Sequence, residues 1–209
     1  MATWYNDFQV WLTVSESYHN AQLVVDHFSG TDWTPESLSA MLGNMRHESS
    51  INPEMYEYGY TWEEDRGYGL VQWTPRSKYW DWAVANNLAP REGESQLARI
   101  SYEIANNIQY IANGHSVRYG LETKYDFSFA DFRTNAQGLT VEQLTEAFMW
   151  NYEGPDYNAG LDSLNERQDF AVGALGQLDF DTQPTPPEND KLTAYQIMSN
   201  KRHIFRRRR

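Results

Sequence analysis

Thr34-Pro35-Glu36-Ser37-Leu38-Ser39-Ala40-Met41-Leu42-Gly43-Asn44-Met45-Arg46-His47-Glu48 reads as one amphipathic helix that ends in a carboxylate. Thr34 supplies an N-cap hydroxyl, and Pro35 fits the first helical position, where its missing N–H has no partner to lose. Leu38, Met41, Leu42 and Met45 recur at steps of three and four and mark the inward stripe. Glu48 is the next member of that series, three residues beyond Met45. A carboxylate partly withdrawn from water resists ionisation, so its pKa rises toward values at which it can donate a proton near neutrality. The competing reading is a glutamate that bends back to solvent at a fraying helix end.

The flanking sequence is also largely helical. Tyr18, Ala21, Val24, Val25 and Phe28 predict a helix over about 15–28, stopped by Gly30. Thr74-Pro75 repeats the Thr-Pro start and opens a helix through Trp80 and Ala83 to about Asn87. Leu97, Ile100, Ile104, Ile108 and Ile111 form the cleanest stripe, over about 94–112. A short helix is predicted over about 127–132. Thr140-Val141-Glu142-Gln143 is a capping box ahead of Leu144, Ala147 and Phe148. Leu164, Ala171 and Leu175 mark a last helix over about 161–176.

Only the segment from Asn52 to Trp73 departs from this pattern. Met55-Tyr56-Glu57-Tyr58-Gly59-Tyr60-Thr61-Trp62, the turn-like Glu64-Asp65-Arg66-Gly67, and Tyr68-Gly69-Leu70-Val71-Gln72-Trp73 suggest a small irregular β-hairpin. Such a hairpin is marginal alone, so it is expected to pack over the end of the Glu48 helix as one lip of a groove. Its Tyr and Trp rings either offer flat faces to sugar rings or plug the core.

Composition narrows the classes. The chain has 209 residues with 8 Trp, 14 Tyr and 9 Phe, enough aromatic mass to fold despite a net charge of -12. With no cysteine, disulfides and thiolate zinc sites are excluded. There is no run of about 18 apolar residues to span a membrane, and the start, Met1-Ala2-Thr3-Trp4-Tyr5, lacks signal-peptide character. Residues 1–190 hold 10 basic against 29 acidic residues, a net of -19, whereas 191–209 hold 7 basic residues and no acid. The acidic body would repel phosphate, so nucleic acid is not an expected partner. The organisation expected is one folded domain over 1–180 and, over 181–209, a Pro-rich linker with a basic tail ending Arg206-Arg207-Arg208-Arg209. That tail reads either as a docking element for a neighbouring protein or as a solvated end.

Met41-Leu42-Gly43-Asn44-Met45-x-x-Glu48-Ser49-x-Ile51-Asn52-Pro53, followed by Gly67-Tyr68-Gly69-Leu70-Val71-Gln72-Trp73-Thr74-Pro75, resembles the phage tail lysozyme family. Trp33-Thr34 upstream and Phe148-Met149-Trp150-Asn151-Tyr152-Glu153-Gly154-Pro155 downstream resemble further family blocks in the right order. The resemblance implies a mainly α (α+β), lysozyme-like fold over about 10–175, with the hairpin as one lip of the cleft. It implies a virion-associated enzyme at the phage tail tip, made in the host cytoplasm, that cleaves the β-1,4 glycan backbone of peptidoglycan with Glu48 as general acid. Gly69, Gln72, Trp73, Tyr68, Tyr152 and Asn151 are then expected along the substrate, with Tyr152 touching the catalytic carboxyl. Glycines would let a bulky saccharide approach the backbone, and Gln72 would offer a donor and an acceptor to an N-acetyl group. Family tail blocks often read Tyr-Glu-Arg-Pro; here Gly154 stands in place of the Arg. Other tail proteins are the expected partners, with 191–209 as the docking candidate. With no metallopeptidase half after the linker, the chain is expected to carry one activity.

The chemistry leaves alternatives open. Glycoside hydrolysis usually pairs an acid with a second carboxylate, for which Asp65 and Glu57 lead over Glu63 and Glu64. If none faces Glu48, the chain would act as a lytic transglycosylase, with the sugar's own hydroxyl attacking. No cofactor is called for. His47-Glu48-Ser49-Ser50-Ile51 begins like a zinc-protease motif but has Ile51 where the second His must stand, and no Gly-x-Ser-x-Gly marks a serine hydrolase. The remaining class is a structural or wall-binding tail component without catalysis.

Overall fold

A computed structural model describes residues 3–181; the proposed linker and basic tail fall outside the described residues. Eight α-helices order this region: α1 (Val14–Phe28), α2 (Pro35–Ser49), α3 (Ser77–Ala85), α4 (Gly93–Asn106), α5 (Gly114–Tyr119), α6 (Phe129–Arg133), α7 (Val141–Phe148) and α8 (Tyr157–Gln177). The fold is mainly α, and among these residues no helix is long and apolar enough to cross a membrane.

The central element is α2, which packs chiefly on α8 and α7 and also touches α1 and α6. Its start follows from the sequence: Thr34 Oγ1 accepts from the Ser37 N–H at 3.2 Å, with Pro35 at the first position. Leu38, Met41, Leu42 and Met45 are all buried, as the stripe requires. The closest approach is at Gly43. A Cβ there would lie 2.3 Å from the backbone carbonyl oxygen of Arg167, so α2 and α8 meet backbone to backbone. Only a residue without a side chain allows that crossing.

Several predicted boundaries shift for identifiable reasons. Thr74-Pro75 does not cap α3, which begins at Ser77 with its N–H bonded to Asp65. The stripe over 94–112 is cut short: α4 ends at Asn106, capped by left-handed Asn107 at φ 52°, and Ile111 beyond it is exposed. On α8 the buried face is Gly160, Ser163, Arg167, Ala171 and Ala174, so Ala171 lies on it as expected while Leu164 and Leu175 each fall one residue off it. Small residues face inward there because α2 lies so close, and the leucines are pushed to the flank. Helix α5 was not expected from the sequence pattern.

The segment after α2 does not form the predicted β-hairpin. Tyr56 pairs with Tyr68, and Tyr68 with Trp73, only as isolated antiparallel bridges. Glu57 N–H donates to Gly67 O and Gly69 N–H to Met55 O, both at 2.9 Å, and the pairing goes no further. Left-handed residues at Asp65, Gly69 and Gln72 (φ 49°, 81° and 46°) turn the chain out of any ladder. The segment is held instead by rings. Trp62 lies 4.9 Å from Trp80, 5.3 Å from Tyr56 and 5.6 Å from Tyr68 between centroids, with the Arg76 guanidinium 3.8 Å above it.

Candidate active site

The residues immediately after Glu48 anchor what surrounds it. Ser50 and Ile51 are both left-handed (φ 54° and 61°), which reverses the chain at the end of α2. Ser49 Oγ donates to Leu70 O at 2.9 Å and so ties the helix end to the aromatic lip. Asn52 Nδ2 donates to Asp7 O and Val10 O, both at 2.8 Å, and so holds the N-terminal arm that carries Trp11. The Glu48-Ser49-x-Ile51-Asn52 run is thus a junction from which two walls diverge.

Between those walls opens a cleft of about 680 Å³, within the range of about 300–1,000 Å³ that accommodates ligands. His47 and Glu48 come from α2, and Met55, Tyr56, Glu57, Tyr58, Arg66, Gln72 and Thr74 from the lip. Glu153, Pro155 and Asp156 come from the turn after α7, and Trp11 from the arm. Trp11 and Tyr58 are 52% and 87% exposed, large apolar rings left open to solvent at the cleft.

Glu48 is not loose at a frayed end. Arg167, 2% exposed, donates from Nη2 to Glu48 Oε1 at 2.7 Å, from Nη1 to Asn44 Oδ1 at 2.9 Å, and from Nε to Ser163 Oγ at 3.1 Å. Asn44 is oriented in turn by its own Nδ2, which donates to Ala40 O and Thr145 O. A planar fork held at three points fixes the carboxylate in one position. Beside it, burial holds the His47 imidazole below its ordinary pKa, with the charge of Arg167 adding to the effect.

Of the residues named from sequence, Glu48, Glu57 and Gln72 come together in the cleft. Glu57 Oε2 accepts from Gly67 N–H at 2.9 Å. A Cβ on Gly67 would lie 2.7 Å from Gln72 Oε1 and 3.3 Å from Glu57 Oε2, so this glycine lets the two side chains converge. Gln72 Nε2 donates to Met55 O and Gly69 O at 3.1 Å each, which leaves its carbonyl oxygen as the polar atom it can turn to a ligand.

The other named residues do not line the cleft. Asp65 accepts from Ser77 N–H at 2.8 Å and Ser77 Oγ at 2.6 Å and caps the start of α3. Gly69 makes room for Gln96, whose Oε1 would lie 2.5 Å from a Cβ there; the close approach is to a core amide rather than to a saccharide. Tyr68 and Trp73 are buried. Asn151 is fully engaged, accepting from Gly114 N–H and donating to Tyr110 Oη and Tyr125 O. Tyr152 does not touch Glu48: its hydroxyl donates to Glu103 Oε2, while Glu103 Oε1 accepts from Trp73 Nε1 at 3.0 Å and Arg99 Nε at 2.7 Å. The family resemblance places these aromatics along the substrate, whereas here their rings are buried in the core behind the cleft.

The sequence pattern singled out none of Arg167, Glu153 and Trp11, whereas Tyr58 belongs to the aromatic run expected along the groove. Arg167 was legible as one member of a three-and-four repeat, Gly160, Ser163, Arg167, Ala171 and Ala174. Glu153 is brought to the cleft by a π turn, Met149–Glu153, that follows α7 and ends at left-handed Gly154, φ 60°. Such turns recur at functional sites. The guanidinium of Arg118 packs against Gly154, where a Cβ would lie 2.5 Å from its Cζ. Among the described residues, no group of three or more His, Asp or Glu is arranged to hold a metal ion.

The sequence profile of the phage tail lysozyme family matches residues 19–178. The chain is also 34% identical over 145 residues to Morphogenesis protein 1 of Bacillus phage B103, an alignment that covers 69% of this chain and 36% of that protein. The chain therefore spans little more than a third of that relative.

Proposed function

The chain belongs to the phage tail lysozyme family, and from that premise we propose that its cleft binds a peptidoglycan glycan strand and cleaves the β-1,4 bond with Glu48 as general acid. One observation carries the reading: the carboxylate at the end of α2 is clamped by a buried arginine and opens onto a cleft bordered by two solvent-facing rings, Trp11 and Tyr58. A fixed proton donor beside flat apolar faces suits a sugar polymer, whose ring faces stack and whose leaving oxygen must be protonated. Glu57 is the second carboxylate we propose for hydrolysis, since of the two leading candidates it lines the same cleft and Asp65 does not. The acidity of the body disfavours charge-driven attraction to an anionic wall, so the virion would deliver the enzyme, with 191–209 as one docking candidate.

A second reading is a lytic transglycosylase with Glu48 working alone. It draws support from Asp65, which is spent on capping α3, and from Glu57, whose Oε2 is already bonded. Mass spectrometry of muropeptides released from purified walls separates the two: reducing ends mean hydrolysis, anhydro ends mean transglycosylation. Glu48→Gln should lower either activity by about 10²–10⁴-fold, as expected for loss of a general acid. A Glu48→Gln protein that clears walls like wild type would remove Glu48 from the mechanism, and no release by wild type would leave a wall-binding role.

A further inference from the structure

Arg66 is the one Lys or Arg among the residues that line the cleft. The other charged lining is acidic, with Glu57, Glu153 and Asp156 beside Glu48. Cations are scarce in this body, and most are spent: Arg76, Arg91, Arg99, Lys124, Arg133 and Arg167 all sit in ion pairs. Arg66 pairs with no carboxylate among the described residues; its guanidinium lies instead 4.2 Å over the Tyr60 ring, which orients the fork without neutralising it. Glu64 feels its charge but accepts from Thr61 N–H at 2.6 Å and Thr61 Oγ1 at 3.0 Å. Glu57 Oε2 is likewise taken by Gly67 N–H. The backbone of Arg66 is pinned on both sides, its N–H donating to Tyr56 Oη at 3.1 Å and its carbonyl accepting from Arg76 N–H at 2.9 Å. A positioned, exposed and unneutralised guanidinium thus borders an acidic cleft.

Resting on the reading of the cleft as a glycan site, we propose that Arg66 sets specificity for peptide-bearing strands by taking a carboxylate of the short peptide that the glycan carries. The acetylated sugars of such a strand are uncharged once the lactyl acid is joined to its peptide, so the anionic groups lie on the peptides. A guanidinium meets a carboxylate with two parallel N–H···O bonds, whereas a bare strand gives it nothing to pair with. Two residues out from the Tyr56–Tyr68 bridge, on facing arms of the lip, stand Tyr58 and Arg66. A sugar stacked on the open Tyr58 ring would therefore carry its peptide to the same part of the lip as the cation. The acidic lining elsewhere would repel that carboxylate, so Arg66 also favours one placement of the strand over the others.

Calorimetric titration with muropeptides tests this without any assay of cleavage. The probes are the GlcNAc–MurNAc disaccharide bearing its tetrapeptide, the same molecule with its carboxylates amidated, and the disaccharide alone. Arg66→Gln should weaken binding of the first about three- to tenfold, between an exposed and a well-formed charge pair, and leave the other two unchanged. Arg66→Lys should recover part of the loss, since it keeps the charge without the fork. The unfolding midpoint should stay at the wild-type value, because the side chain is exposed. Equal weakening for all three probes would reduce Arg66 to a support of the lip and overturn the proposal. A charge-dependent loss seen only with a glycerol-phosphate oligomer would also overturn it, by making the anion a phosphate. If wild type binds the disaccharide and Arg66→Gln changes nothing, the proposal alone falls. If wild type binds none of the three probes, the cleft is no glycan site and both fall.

Discussion

The carbonyl oxygen of Arg167 lies 2.3 Å from where a Cβ of Gly43 would stand, so the crossing of α2 and α8 is set by one absent methyl group. The same contact brings the Arg167 guanidinium to Glu48, just over one helical turn beyond Gly43. Gly43→Ala should therefore separate the helices. Overpacking of this kind costs about 1–3 kcal/mol, readable as a lower Tm. Cleavage should fall further than the lost stability accounts for, because the carboxylate loses its clamp.

Arg167→Met should be worse for the fold than Arg167→Lys. Methionine leaves Asn44 Oδ1 and Glu48 Oε1 without their donor, and breaking a buried pair in this way costs about 3–5 kcal/mol. Lysine keeps the charge but not the fork, so it should recover part of the stability and less of the activity. Chemical denaturation and muropeptide release, measured together, check both.

Glu57→Ala and Asp65→Ala should separate cleanly. Glu57 lies in the cleft, and its loss should lower kcat with little change in unfolding. Asp65 caps α3, and its loss should lower stability while leaving kcat near wild type. Hydrogen bonds from Ser77, then the charge of Arg76, hold the Asp65 carboxyl below its ordinary value. A depressed folded-state pKa gives stability that is present above the unfolded value and lost as pH falls through the folded one. The gap in Tm between wild type and Asp65→Ala should therefore close on acidification below the ordinary carboxylate range.

Trp11→Ala and Tyr58→Ala should raise KM more than they lower kcat, since both rings lie at the cleft margin. Thermal unfolding should barely change for Tyr58→Ala, whose side chain is almost wholly exposed. A drop in kcat with unchanged KM would mean that these rings are not a binding surface.

What the sequence made legible was the local part of this design. Capping at Thr34 and Thr140, the stripe from Leu38 to Met45, and the place of Glu48 in it follow from residues three or four apart, where helix geometry dictates neighbours. Arg167 could not be paired with Glu48 in advance because 119 residues separate them. The glycine motif was legible as a motif but not by what it touches. Gly67 serves Glu57 and Gln72, whereas Gly69 serves Gln96, and nothing in two similar glycines tells cleft from core. Tyr68, Trp73 and Tyr152 were misplaced for a related reason: a large ring with a polar edge fits a sugar or a buried carboxylate equally well.

Glu103 is where those rings lead. One of its oxygens serves Trp73 at the end of the lip, and the other serves Tyr152 on the turn that carries Glu153. Both flanks of the groove therefore hang from a single carboxyl group deep behind it, as two blades share a rivet. A jaw built this way is braced at its root, while Tyr58 stands exposed at its margin. On the proposed function, a glycan strand would have to slide in between flanks tied at their root.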